Sequence, residues 1–196
     1  MDLEIVGALL EQRLALKKKR PPDRNPFTGE ALTEVEIERM LSHYYPDGAS
    51  GAQIDAFEST SGLTLSNDLR AWLAFSNGPS GFVGIGDGPV RLLWLLENSP
   101  HLFSDGAMPV GSDIFGNYFL MGADGFVHYT EATDLSDKYV VASTLLKYVE
   151  FALGSDIAFL KEERVKWPIE RRFFVERDPA VLASGHRLAF SHGKSN

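Results

Sequence analysis

The chain has 196 residues, 44% hydrophobic and 23% charged, with a net charge of −8 and no cysteine. This balance suits a soluble globular protein, and a compact chain of this length buries about 70% of its unfolded surface, enough to stand without disulfide or metal. It excludes disulfides, thiol catalysis and cysteine-type zinc sites, while the longest apolar cluster, Leu92 to Leu96, is too short to cross a bilayer.

A first helix is expected from Leu3 to about Lys19, with Leu3, Val6, Leu10 and Leu14 along one side. Lys17-Lys18-Lys19-Arg20 sits at its C-terminal end, where cations suit the helix dipole, and Pro21-Pro22 stops it. This basic run reads as a solvated helix end rather than a nucleic-acid arm. After a turn-rich connector, Thr33 and Glu36 form a capping box for a helix through Tyr44 or Tyr45, with Val35, Ile37, Met40 and Leu41 as its apolar side. Pro46-Asp47-Gly48 ends it, so residues 1–48 read as an N-terminal helical extension packed on the core.

A short helix carries Ile54, Phe57 and Glu58. Ser66 then caps a second, with Asp68 in its first turn and Leu65, Leu69, Trp72 and Leu73 on one face. Asn77-Gly78 ends this helix, because both residues tolerate left-handed dihedrals. Gly78, Gly81, Gly84, Gly86 and Gly88 punctuate the next segment, and the runs Gly81 to Ile85 and Val90 to Leu96 read as strands. Residues 117–121 and 125–129 flank Ala123-Asp124-Gly125 as a hairpin. Leu145, Leu146, Val149, Ala152 and Leu153 share a helix face that Gly154 stops. Ser155 caps a further helix through Val165, ended by Trp167-Pro168, and Arg171 to Val175 reads as an edge strand before a loose tail. The succession is an α+β pattern.

Four of these pieces, in order, are Ile54-x-x-Phe57-Glu58; Leu65 to Gly78 with Leu69, Trp72, Leu73 and Asn77; Gly111-x-Asp113-x-x-Gly116-x-Tyr118; and Ser143 to Leu153. Together they resemble the SUKH superfamily, which groups bacterial toxin-immunity proteins with a fungal regulator of cell-wall synthesis. Ser66 stands where the family usually has proline. The resemblance implies a core domain over residues 49–154, a mixed sheet flanked by helices, with residues 155–196 as a C-terminal helix and extension. Its fold signature falls on Phe57, Leu69, Trp72, Asn77, Gly78, Asp113, Gly116 and Tyr118. It implies a non-catalytic module that binds another protein, with no cofactor.

Motifs for chemistry are sparse. The glycine series has neither the Gly-Lys-Ser/Thr ending of a phosphate loop nor Rossmann spacing. The five histidines, His43, His101, His128, His186 and His192, are scattered, and Asp105, Asp134 and Asp137 do not make a calcium loop, so no metal site is expected. Ser76, Ser80 and Ser112 could be nucleophiles only by type, with His101 or His128 as base, and no Gly-x-Ser-x-Gly elbow is present. Asp113 reads as a backbone-bonding turn residue, Trp72 as core, and Phe115, Tyr118, Phe119 and Phe126 as sheet packing.

Charge is uneven. Residues 31–160 hold 17 acidic and 5 basic side chains, a net of −12, whereas residues 1–30 and 161–196 are net +1 and +3. An acidic centre repels nucleic acid and steers basic partners. The leading reading is an immunity protein that neutralises a toxin domain by direct binding through loops around Asp87, Glu97 and Asp105. A regulatory scaffold of signalling or cell-wall synthesis is the alternative, and a small hydrolase hidden in the Gly78 to Asp113 loops a third. The start Met1-Asp2-Leu3-Glu4 lacks the basic and apolar regions of a secretory signal, so a cytoplasmic setting is expected, with no membrane contact and no sign of a homo-oligomer.

Overall fold

The computed structural model describes residues 2–25, 28–86, 91–113, 115–162, 178–183 and 185, with the backbone alone at Ser104 and Asp105. Helix α1 (Leu3–Lys19) has the expected limits, because the Asp2 carboxylate accepts the backbone N–H groups of Glu4 and Ile5. Its buried stripe is Val6, Leu10 and Arg13. Helix α2 (Glu34–Ser42) starts at the expected Thr33/Glu36 capping box. Its apolar side is narrower than expected: Ile37, Met40 and Leu41 are half-buried, while Val35 is 75% exposed. Helix α3 (Gly51–Ser61) opens on a second capping box, Ser50 with Gln53, and closes at left-handed Gly62.

Helix α4 (Asn67–Phe75) is capped by Ser66, whose hydroxyl accepts the Leu69 N–H, and buries Leu69, Trp72 and Leu73. Its exit differs from expectation. Ser76 is extended, and of the Asn77-Gly78 pair only Gly78 takes a positive φ, +68°. The next segment holds two corrections. Gly81 to Ile85 is an extended edge strip rather than a full strand, touching the sheet at Phe82 and Gly111. Leu92–Asn98 is a helix, α5, not a strand, and it buries Leu92 and Leu95 at helical spacing. A continuous five-residue apolar run cannot separate the two periods by itself.

A 3-10 helix (Pro100–Gly106) leads into four antiparallel strands in meander order: β1 (Met108–Ser112), β2 (Tyr118–Met121), β3 (Val127–Glu131) and β4 (Asp134–Ala142). The α+β class and the helices flanking the sheet are as expected; the four strands pair antiparallel, and parallel pairing among the described residues is confined to the single bridge Gly84–Arg91. The β2–β3 turn forms where expected, with Gly125 at φ +83° and the Asp124 carboxylate accepting the Phe126 N–H. The free edge of β1 is covered by the strip before it: the Val83 N–H bonds the Val110 carbonyl, and the Ser112 N–H the Gly81 carbonyl. Covering an edge in this way removes a template for unwanted pairing.

Helix α6 (Leu145–Leu160) begins at Thr144 and runs through Gly154 and Ser155, so Gly154 is not its stop. Burial of Leu153 and Ile157 on either side outweighs the cost of about 1 kcal/mol for a mid-helix glycine. A short α7 (Ala180–Ala183) follows. The expected helix end at Val165, the Trp167-Pro168 stop and the Arg171 to Val175 strand lie outside the described residues.

One hydrophobic core joins α1 (Val6, Leu10), α3 (Ile54, Phe57), α4 (Leu69, Trp72, Leu73), α5, β1, β3, β4 and α6 (Tyr148, Val149, Leu153). The two N-terminal core residues belong to the same cluster as the sheet. A chain of ring contacts crosses it: Trp72 to Phe82 at 5.2 Å, Phe82 to Tyr148 at 5.5 Å, Tyr148 to Phe119 at 4.9 Å, and Phe119 to Tyr129 at 5.3 Å. On the other face of the sheet, Val140 packs with Val181 of α7 and with Phe126. Asp178, 7% exposed, anchors that corner by accepting the Ser143 N–H at 2.6 Å and hydroxyl at 2.8 Å.

Candidate functional site

The signature residues prove to be tied up in holding the fold. Glu58 accepts the Leu65 N–H at 2.7 Å and pairs with Arg70, which also reaches Asp55 at 2.7 Å. The Leu65 hydrogen bond, then that from Arg70, holds the Glu58 carboxyl below the usual carboxylate range. The Asn77 amide makes two bonds to one residue, donating to the Ile85 carbonyl and accepting the Ile85 N–H. Beneath it Gly78 and Gly84 meet backbone to backbone: a Cβ on Gly78 would lie 2.6 Å from the Gly84 Cα. The expected Asn-Gly helix stop is thus a splice between α4 and the glycine-rich strip.

Asp113 organises the β1–β2 loop. One carboxylate oxygen accepts the N–H groups of Phe115 and Asn117, both at 2.9 Å, and the other accepts the Asn117 amide at 2.9 Å and the Tyr129 hydroxyl at 3.2 Å. Burial, then the neighbouring carboxylate, pushes the Tyr129 phenol up to about 12. Gly116, at φ +84°, turns this loop. Asp113 therefore has the role expected from its sequence context, bonding backbone at a turn.

Ser76, His101 and His128, considered for hydrolysis, sit on separate elements. Ser76 is fully buried and its hydroxyl donates to the Pro46 carbonyl at 3.1 Å. His101 is exposed on the 3-10 helix. His128 neighbours Tyr129 along β3 and so projects to the opposite sheet face from the Asp113 network. His128 instead lies 3.7 Å from the Asp124 carboxylate. Among the described residues no group of three or more His, Asp or Glu is placed to hold a metal ion, and no helix is long and apolar enough to cross a membrane.

Of the three residues expected to meet a partner, Glu97 is exposed on α5. The backbone of Asp105 lies on the next element, the 3-10 helix, and Asp87 is outside the described residues. Glu97 has apolar company that a strand period does not anticipate: with Leu92 and Leu95 turned inward, Leu93 and Trp94 are 37% and 53% exposed. Reading Leu92 to Leu96 at helical rather than strand period would have revealed them. Gly106 abuts the β2–β3 turn, where an added Cβ would lie 3.3 Å from the Ala123 Cβ, and this sets exposed Asp124 beside the 3-10 helix. The charge along this part of the chain is mostly negative, bounded by Arg91 at the start of α5 and Lys138 in β4. From Leu92 to Asp137 the chain holds seven acidic side chains and not one lysine or arginine. An aromatic and a leucine within such a field form a surface for an apolar and basic counterpart.

A second unanticipated group is Arg13. It is 6% exposed, donates to Asp156 on α6 at 2.5 Å and to the Ser80 carbonyl at 3.0 Å, and lies 4.8 Å from the Tyr44 ring centroid. Lys17 sits 4.7 Å from the same ring. Of the basic run, Lys18, Lys19 and Arg20 are exposed, and Arg20 pairs with Glu162. One aromatic is corrected as well: Tyr118, Phe119 and Phe126 are half-buried at the sheet, but Phe115 is 82% exposed.

Residues 48–150 match the model of a family described as the SMI1 / KNR4 family (SUKH-1). No curated protein matches the chain.

Proposed function

Because the chain belongs to the SMI1 / KNR4 family (SUKH-1), we propose that it is a protein-binding module acting by occupancy, and that its partner is a bacterial toxin domain which it neutralises by direct binding. The α5 surface is the observation that carries the reading. Trp94 and Leu93 stand exposed beside Glu97 on a helix with Arg91 at its N-cap, and from Leu92 to Asp137 the chain carries seven acidic side chains and no lysine or arginine. An aromatic anchor with a charged rim is the common composition of an interface centre, and an excess of one sign of charge accelerates encounter with an oppositely charged partner. Occupancy needs no cofactor and no reacting side chain.

The direct test is affinity capture of the tagged protein from its own cells, identified by mass spectrometry and repeated at high salt. One stoichiometric toxin-like protein, held by the wild type and released as salt rises, is the expected result. Trp94→Ser and Glu97→Lys should each weaken it while leaving the melting temperature unchanged. Several envelope or signalling proteins in its place would turn the assignment to a regulatory scaffold. Full binding by the Trp94→Ser and Glu97→Lys variants would remove α5 from the interface.

A further inference from the structure

We infer that the end of the sheet bearing Phe115 is a second docking surface, for a lysine- and arginine-bearing segment of a partner protein whose apolar side chains enclose the Phe115 ring. This rests on the reading of the chain as a binding module but uses different residues. The α5 helix packs on the 3-10 helix, which packs on β1 and leads into it at Met108, at the end of the sheet where Met108 pairs with Met121 and Met121 with Val127. The β1–β2 loop lies at the opposite end, where Ser112 pairs with Tyr118, Tyr118 with Thr130, and Glu131 with Asp134.

Phe115 is the most exposed large apolar side chain among the described residues, at 82%, and its loop is not slack. Every oxygen of Asp113 is engaged in holding it, and the Asn117 amide also donates to the Tyr129 hydroxyl at 2.7 Å. Tyr129 is in turn fastened to the core through Phe119. An aromatic ring held out on a pre-organised loop loses little conformational freedom on binding, which is what an interface anchor requires.

Charge selects the occupant. The Asn117 side-chain carbonyl accepts the Ala132 N–H at 3.2 Å and so joins the Phe115 loop to the β3–β4 turn. That turn carries exposed Glu131 and Asp134. The one cation on this hairpin is Lys138 of β4, opposite Thr130, against Glu131, Asp134 and Asp137, so the turn keeps a net negative charge. A nucleic acid would be repelled, and a second copy of the same surface would meet its own sign. A basic polypeptide satisfies both the ring and the rim.

The test uses the full chain to select binders from a random dodecapeptide library, followed by titration of the synthesised peptides. Peptides rich in Lys and Arg are expected, losing affinity about tenfold or more on Phe115→Ser and on Glu131→Lys/Asp134→Lys, while Trp94→Ser leaves them unchanged. Thermal melts check that the variants stay folded. Equal binding by Phe115→Ser, selected peptides without basic residues, or no selected peptide would each overturn the inference. Peptides lost on Trp94→Ser but kept by Phe115→Ser would also overturn it while leaving the α5 reading in place.

Discussion

Gly111 and Tyr148 share one volume. The Tyr148 hydroxyl fills the space a side chain on residue 111 would need, since a Cβ there would lie 2.0 Å from that oxygen. Tyr148 is 2% exposed and its ring is held between Phe82, edge-on, and Phe119, tilted, so it has little room to shift. The glycine of the β1 signature is therefore a packing requirement set by a helix thirty-seven positions later.

Gly111→Ala should destabilise the protein by about 1–3 kcal/mol, the usual cost of overfilling a packed core. Tyr148→Phe removes the clashing oxygen and should recover part of that loss in the double variant. Urea denaturation of the four proteins measures the coupling; strictly additive effects would show that the two residues do not compete.

Asn77→Ala leaves the N–H and the carbonyl of Ile85 without their side-chain partner, and Ile85 is 6% exposed. Leaving buried backbone groups unpaired costs about 1–3 kcal/mol each. A loss of about 2–4 kcal/mol in urea unfolding is expected. A loss within experimental error would mean that water replaces the amide without cost.

The Glu58 carboxyl is lowered chiefly by the Leu65 N–H and then by Arg70. A depressed folded-state pKa contributes stability that is present above the unfolded value and lost as pH falls through the folded one. The gap in melting temperature between wild type and Glu58→Gln should therefore be widest near neutral pH. It should close as the pH drops below the ordinary value of 4.5. A gap that stays constant from pH 7 to strong acid would assign the effect to shape rather than charge.

Arg13→Met should weaken the seat of α1 on α6. It removes the partner of Asp156, whose side chain is 27% exposed, and the donor to the Ser80 carbonyl. Breaking one side of a buried pair costs about 3–5 kcal/mol, and the partial exposure of Asp156 should bring this nearer 2–3 kcal/mol. Hydrogen exchange should show α1 opening more readily, with the sheet amides little changed; uniform loss of protection would mean that α1 and the sheet unfold together.

Signals confined to a few neighbouring residues were legible in the sequence. The limits of α1, the Thr33/Glu36 capping box, the Ser66 cap and the Gly125 hairpin depend on local hydrogen bonds and allowed dihedrals, so spacing and residue type were enough. The buried face of Leu69, Trp72 and Leu73 followed from helical periodicity. The succession of these pieces carried the α+β class, and the family pattern added their order to a known fold.

Tertiary structure decided what depends on partners distant in the chain. Leu92 to Leu96 became helical because only that period puts Leu92 and Leu95 in the core while Trp94 faces outward. The helix continued through Gly154 because burial on both sides of the glycine exceeds its intrinsic cost. Phe115 was set outward by a carboxylate two residues before it and a tyrosine on another strand, and Arg13 was buried by an aspartate 143 positions away. Caps and turns are satisfied within a single turn of chain. Exposure is a property of the packed surface, and it is the exposed Trp94 and Phe115 that distinguish where this protein can be touched.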